Sequence, residues 1–357
     1  MTLAQERPLA TVVAEVVRPC HLAERIVVVD GMPGCGKTLL SAIVSALDRV
    51  EVEKYVPKIE HLCVSHFLGK LTDDAARTLV TLFTDIDLYS LMISREVNFK
   101  PSDLSSVFRS PRPWRYVRRL FQPDGQPEAE RIERERPILN FVTHNLLPVC
   151  DPVMHGLGER VVIVEVVRHP LYMLKQWFLY IHRYGTDVRD FTLWLAAEGA
   201  SVPWFAQGWE AAYLRAPLMD RVIYSIEHLG RLAREALGRL PASQRRQVIT
   251  VPFEPFVLDP WLVLQQLEAA LGTRVTSVTR RELRRQRVPR ARIADGLGLK
   301  VYRANGWQPP KGSGEAEELT RRRAFAAEHA TAAAMDVLDR LCAEYERAYP
   351  LAARTGR

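Results

Sequence analysis

Cysteine is scarce in this sequence: 357 residues hold five, Cys20, Cys35, Cys63, Cys150 and Cys342. None forms a CxxC pair or alternates with histidine at zinc-ligand spacing, so the usual grounds for a structural zinc or a disulfide framework are missing, and a reducing, cytoplasmic location with no metal site is expected. Long apolar runs are missing too. No stretch approaches the roughly 20 residues that a membrane-spanning helix needs, so no membrane span is expected. The opening MTLAQERPLA carries an acid and no apolar core, and does not read as a signal peptide. No internal repeat and no recognised nucleic-acid module is visible, which makes nucleic acid an unfavoured partner. What is present suffices for a core: 47% hydrophobic and 25% charged residues rule out wholesale disorder and suit one large α/β domain, alone or with an appendage. The formal net charge of +7 favours an anionic partner without choosing among nucleotide, nucleic acid, membrane surface and acidic glycan.

The apolar run Arg25-Ile-Val-Val-Val-Asp30 leads into Gly31-Met32-Pro33-Gly34-Cys35-Gly36-Lys37-Thr38 and then the periodic LLSAIVSAL. That order reads strand, glycine turn, helix, and the turn matches GxxxxGK[ST] without a mismatch. Glycines let successive N–H groups converge on phosphate oxygens, and the helix N-terminus adds partial positive charge. Lys37 would neutralise phosphate, Thr38 would bond a phosphate oxygen or hold Mg²⁺, and Cys35 reads as a small filler. A glycine turn with no ligand is the bland alternative.

Further strands are expected at 138–142, 160–167, 221–225 and 247–251, with helices at 171–181 and from Pro260 to a stop at Gly272. Strands alternating with helices imply a three-layer α/β P-loop fold around a central, mainly parallel sheet. A helical insertion is expected over about 51–120 and a mobile surface loop over 122–136. The first unit spans 22–275. From 276 to 357 a basic, helical extension packs on the core, with a Gly/Pro-rich link at 306–314 and a final amphipathic helix bearing Met335, Leu338, Leu341 and Tyr345. The dense run Arg280, Arg281, Arg284, Arg285, Arg287, Arg290 and Arg292 suggests an anion-facing surface, although such a run is more often a solvated helix face.

Three downstream segments, in collinear order, resemble the PAPS-dependent sulfotransferase family (PAPS is 3'-phosphoadenosine 5'-phosphosulfate). Arg136-Pro-Ile-Leu-Asn-Phe-Val-Thr-His144-Asn-Leu-Leu147 is similar to the family strand ending in Lys-Thr-His, with Val142 in place of the lysine. Val161-Val-Ile-Val-Glu-Val-Val-Arg168-His-Pro170, running on to Gln176 and Trp177, is similar to the strand, Arg-x-Pro turn and helix that hold the donor's 3'-phosphate, with Gln176 in place of a serine and Lys175 beside it. Ile249-Thr-Val-Pro-Phe-Glu254 through Asp259-Pro260 is similar to the family's third conserved segment, and there Glu254 is structural. A fourth, fainter echo is Arg303-Ala-Asn-Gly-Trp307. The P-loop departs from the family in ending Lys-Thr, and the insertion before His144 is long.

The resemblance implies a P-loop nucleotide-kinase-like fold and a sulfotransferase that moves a sulfuryl group from PAPS to a hydroxyl or amine of an acceptor such as a glycan or natural product. It implies His144 as the base, Lys37 and the loop amides as charge stabilisers, and Arg168, Gln176 and Arg303 at the 3'-phosphate, with no metal. A histidine at a strand end is also often a structural group. The aromatic stretch with Trp194, Trp204, Phe205, Trp209 and Tyr213 reads as acceptor lining or as core. Arg95 and Lys100 are expected to face the acceptor, while His155, His169 and His182 read as structural or surface residues. The competing reading is an ATP-dependent small-molecule kinase with Mg²⁺, in which Glu165 would be the acidic metal partner. A third is a basic, nucleotide-dependent nucleic-acid-binding protein.

Overall fold

Ile26–Asp30 is a run of five residues buried on every side, and it becomes the central strand β1 of a five-stranded sheet. A strand with no polar face needs cover on both sides, which dictates a layer of helices above and below. The computed structural model describes residues 14–351 except 104, 189, 198, 305 and 309–313. The expectations for the N-terminal ten residues, for Asn305 and for most of the 306–314 link lie outside the described residues.

The other sheet strands are β2 (Lys54–Tyr55), β3 (Leu139–Val142), β4 (Val161–Val167) and, after a separate antiparallel hairpin of β5 (Trp194–Ala197) and β6 (Ala200–Pro203), β7 (Val248–Pro252). The order is β2-β3-β1-β4-β7, parallel throughout, with Val27 opposite Asn140 on one side and Val162 on the other. The chain therefore leaves β1 toward one edge and later returns to its other side. Such a reversal opens a crevice at the carboxyl ends of β1 and β4, where α/β sheets bind ligands.

Helix α1 (Lys37–Val44) follows β1. Next come α2 (Pro57–Phe67), α3 (Asp73–Met92), α4 (Pro113–Arg119), α5 (Gln126–Glu135) and α6 (Asp151–Leu157). Beyond β4 lie α7 (Pro170–Arg183), α8 (Glu210–Arg215), α9 (Leu218–Arg239) and α10 (Ala242–Arg245). Beyond β7 lie α11 (Phe253–Leu258), α12 (Trp261–Leu271), α13 (Ser277–Arg285), α14 (Lys300–Ala304), α15 (Glu315–His329) and α16 (Ala332–Ala348). The C-terminal pair α15 and α16 packs on α7 and α9, with Ala326, Ala334 and Leu338 fully buried.

Three local expectations fail. Residues 221–225 form no strand but lie inside α9, because their apolar residues belong to a longer stripe, Met219, Val222, Ile223, Ile226 and Leu229, whose spacing is helical. The expected loop at 122–136 contains α5, which starts at the turn of Gly125 with Pro127 in its first turn and is anchored by Ile132 and by the buried Glu128–Arg131 pair. The insertion is not wholly helical either: β2 adds the sheet's edge strand, and Val50 bridges Ile138 just before it.

Candidate active site

The crevice is organised from β1 outward. Asp30, at its end, is buried and accepts hydrogen bonds from Thr143 Oγ1 (2.9 Å), Leu146 N (3.0 Å) and Leu147 N (2.8 Å). One carboxylate thus pins the turn that carries His144 beside the glycine loop. Within the loop Gly31 has φ 143°, and a Cβ there would stand 2.5 Å from the carbonyl oxygen of Val166. Gly36 has φ 101°, and a Cβ there would enter the Phe253 ring. Both positions need glycine for conformation and for space. Lys37 is buried and turned back on its own loop, its Nζ donating to Gly31 O at 2.8 Å and Met32 O at 3.2 Å. Burial pushes the Cys35 thiol up, in keeping with a small packing group.

Arg168 leaves the end of β4 and reaches the same loop. Its Nη1 donates to Gly34 O at 2.8 Å, and its Cζ lies 4.3 Å from the Phe253 ring centre and 5.1 Å from that of Tyr172. Behind it Glu254 is 3% exposed, receives the Tyr345 hydroxyl at 2.5 Å, and stands 3.5 Å from Arg168 Nε. Two more guanidiniums converge here. Arg290 lies 5.5 Å from the centre of the same Phe253 ring, and Arg322 of α15 lies 4.5 Å from the Tyr172 ring. Burial, followed by the nearby Arg168, pushes Arg290 down to about 10, and the same two causes lower Arg322 even though Glu318 opposes the shift. Acids stand beside two of them, Glu254 at 3.5 Å from Arg168 and Glu318 at 2.8 Å from Arg322, and three guanidiniums on one wall still favour an anionic ligand. They border a cavity of about 290 Å³ whose floor is the glycine loop with Thr38 and whose far wall includes Tyr302 and Trp307.

A second cavity of about 420 Å³ lies on the other side of His144, walled by Tyr55, Glu60, Tyr180, Tyr184, Trp204 and Phe205. Pro33, His144 and Tyr180 line both cavities. The His144 backbone N–H donates to Glu60 Oε1 at 2.5 Å, its Nδ1 stands 3.4 Å from the same oxygen, and its ring meets Tyr55 edge-on with centroids 5.0 Å apart.

Pro33, Gly34, Gly36, Lys37, Thr38, His144, Arg168 and Gln176 therefore come together around one crevice. Gly31 and Cys35 support the loop from below. Arg303 does not join them: it is exposed on α14, and its neighbours Tyr302, Gly306 and Trp307 form the wall instead. Arg95 and Lys100 are exposed and line neither cavity, and Arg95 lies 3.8 Å from Asp124. Of the aromatic stretch, Trp204 and Phe205 face the second cavity, whereas Trp209 and Tyr213 pack on each other at 5.3 Å. His169 caps α7, its Nδ1 accepting from Leu171 N at 3.3 Å. Glu165 lines neither cavity. Burial, followed by the neighbouring Asp30, pushes it up to about 7. Among the described residues no cluster of three or more His, Cys, Asp or Glu side chains has metal-binding geometry. The arginine run divides: Arg280, Arg281, Arg284 and Arg287 face solvent and Arg292 pairs with Asp295, while Arg290 alone reaches the cavity. Sequence reasoning singled out neither Phe253 nor Arg322, and of the echo that ends in Trp307 it chose Arg303 instead of the tryptophan.

Neither a family model nor a curated protein sequence matches the chain. Among solved structures it is similar to the sulfotransferase domain of the Synechococcus PCC 7002 olefin synthase (14% identity, 95% of this chain and 100% of that one, TM-score 0.39). It is also similar to the sulfotransferase STF9 of Mycobacterium avium (13%, 94% and 79%, TM-score 0.40) and to the mouse sulfotransferase SULT7A1, solved with PAP (13%, 94% and 87%, TM-score 0.38). Likenesses this distant assign neither activity nor donor.

Proposed function

We propose that this chain is a sulfotransferase that takes PAPS as donor and passes its sulfuryl group to a hydroxyl or amine of a small acceptor held against aromatic side chains. The observation that carries the proposal is the placement of His144 on the wall common to two cavities, one lined by cations and a glycine loop, the other by aromatic rings.

The residues of the first cavity fit a doubly anionic nucleotide. Arg168, Arg290 and Arg322 surround one end of it, where a 3'-phosphate would add its charge to that of Glu254 and Glu318, and the guanidinium fork suits phosphate oxygens. The glycine loop and Lys37 serve the other end. PAPS, when bound, supplies an activated sulfuryl group whose bond to the 5'-phosphate oxygen breaks as the bond to the acceptor forms. Lys37 exchanges its two carbonyl partners for the charge that gathers on the leaving oxygen. His144 takes the acceptor proton from the second cavity, because a neutral imidazole is a competent base near neutral pH. Aromatic walls exclude water from the transfer, which suppresses hydrolysis of the donor.

Calorimetry with adenosine 3',5'-bisphosphate tests this directly. Tight binding that persists in EDTA supports the proposal. Binding of ATP only with Mg²⁺, and no binding of the bisphosphate, would overturn it in favour of a kinase.

A further inference from the structure

Glu60 belongs to none of the matched motifs, yet it is the acid nearest to His144. It sits on α2, is 8% exposed, and lines the second cavity. Its Oε1 receives the His144 backbone N–H at 2.5 Å and stands 3.4 Å from Nδ1, and its Oε2 receives the Tyr55 hydroxyl at 3.4 Å. Burial and the Glu60 carboxylate both hold the Tyr55 phenol above its usual range, so Tyr55 remains a neutral donor to that carboxylate. Nδ1 itself is buried and makes no formed hydrogen bond among the described residues, while 33% of the His144 side chain is open. The open edge is therefore the one that carries Nε2. A buried ring nitrogen facing a carboxylate at 3.4 Å is one small rotation from a charge-assisted hydrogen bond, and distances of this kind shorten when a ligand closes the site.

We propose that Glu60 is the positioning residue of His144: its carboxylate holds the imidazole as the Nδ1–H tautomer and leaves the Nε2 lone pair aimed at the wall shared by the two cavities. Free imidazole in water prefers the opposite tautomer, so without Glu60 the nitrogen that meets the acceptor would carry a proton and could not accept another. A carboxylate behind one ring nitrogen sets which nitrogen is basic. Tyr55 contributes twice, by anchoring the far carboxylate oxygen and by blocking rotation of the ring edge-on. The tautomer assignment is independent of the donor. The use made of the Nε2 lone pair rests on the sulfotransferase reading.

The test is long-range ¹H–¹⁵N correlation of histidine-labelled protein at a pH where imidazole is neutral, with His144→Gln used to assign the signal. The expected result is an Nδ1–H pattern for His144 in the wild type and a switch to the Nε2–H pattern in Glu60→Ala. Retention of Nδ1–H in Glu60→Ala overturns the proposal. Should the alanine variant fail to fold, the wild-type spectrum decides alone: an Nδ1 proton in slow exchange with water supports the assignment, and an Nε2–H pattern overturns it. Adenosine 3',5'-bisphosphate titrated into the same samples separates the two proposals. Absence of binding to the wild type would count against the sulfotransferase reading and leave the tautomer result standing. Glu60→Ala is expected to bind within about twofold of wild type, since Glu60 lies outside the cation-lined cavity.

Discussion

The two cavities that meet at His144 are built by opposite means. On one side cations are pressed together under partial burial, held by Gly34 O, by Glu254 and by the faces of Phe253 and Tyr172. On the other side rings of Tyr180, Tyr184, Trp204 and Phe205 share the wall with Arg183, Asp187 and Asp190, and Glu60 engages His144. The difference is instructive, because the first cavity gathers cations from three distant segments against a glycine loop, while the second mixes aromatic rings with charges of both signs. A concentration of like charge narrows the ligand class, whereas a wall of mixed chemistry accepts many molecules of the right size.

Perturbing each side should show how separate they are. The largest effect is expected from Gly36→Ala, where a left-handed φ and the Phe253 ring both exclude a Cβ; binding of adenosine 3',5'-bisphosphate should vanish in calorimetry, and stability should fall by about 3 kcal/mol in urea melts. Arg168→Ala should weaken bisphosphate binding about 100-fold, and Arg168→Lys should recover little of it because the fork is lost. Arg322→Ala should cost about tenfold in affinity and should also lower the melting temperature of the free protein, since it leaves the buried Glu318 without the guanidinium that stands 2.8 Å from it. An unchanged affinity for the bisphosphate beside a lowered melting temperature would show that Arg322 is structural only and would break the contrast between the two sides.

On the acceptor side, Trp204→Ala should leave bisphosphate affinity within about twofold of wild type; a larger change would mean that the cavities form one coupled site. Smallest for either ligand is the effect of Glu165→Gln, outside both cavities. The folded-state value of Glu165 is about 7 against an unfolded value near 4.5, so between these pH values the folded chain binds the extra proton and stability falls as pH rises. The glutamine variant should therefore be more stable than wild type at pH 8, on the order of 1 kcal/mol or more, and nearly equal to it below pH 4.5, with melts at both pH values as the measurement.

How much was legible in advance varies with the range of the interaction. The sites of β1, β3, β4 and β7 follow from short, mostly apolar runs of strand length. Residues 221–225 misled because three apolar residues in five fit a strand as well as one turn of a helix, and the deciding residues, Met219 and Leu229, lie outside that window. Helix α5 was hidden by its charge: the burial of Ile132 and the hydrogen bond from Arg131 Nη2 to Met92 O both depend on partners elsewhere in the chain.

The sequence by itself determined the strand, loop and helix that begin the cation-lined cavity, because a glycine turn of that spacing between an apolar run and a periodic one has few backbone solutions. It also marked His144 and Arg168 through motifs a few residues long. Only the tertiary structure decided that Arg290 and Arg322, more than 100 residues beyond Arg168, share one cavity with it, that Arg303 does not, and that Glu60 stands behind His144. The physical reason is reach. Local spacing governs backbone geometry over a turn or two, whereas charge acts through space between residues that folding alone brings together.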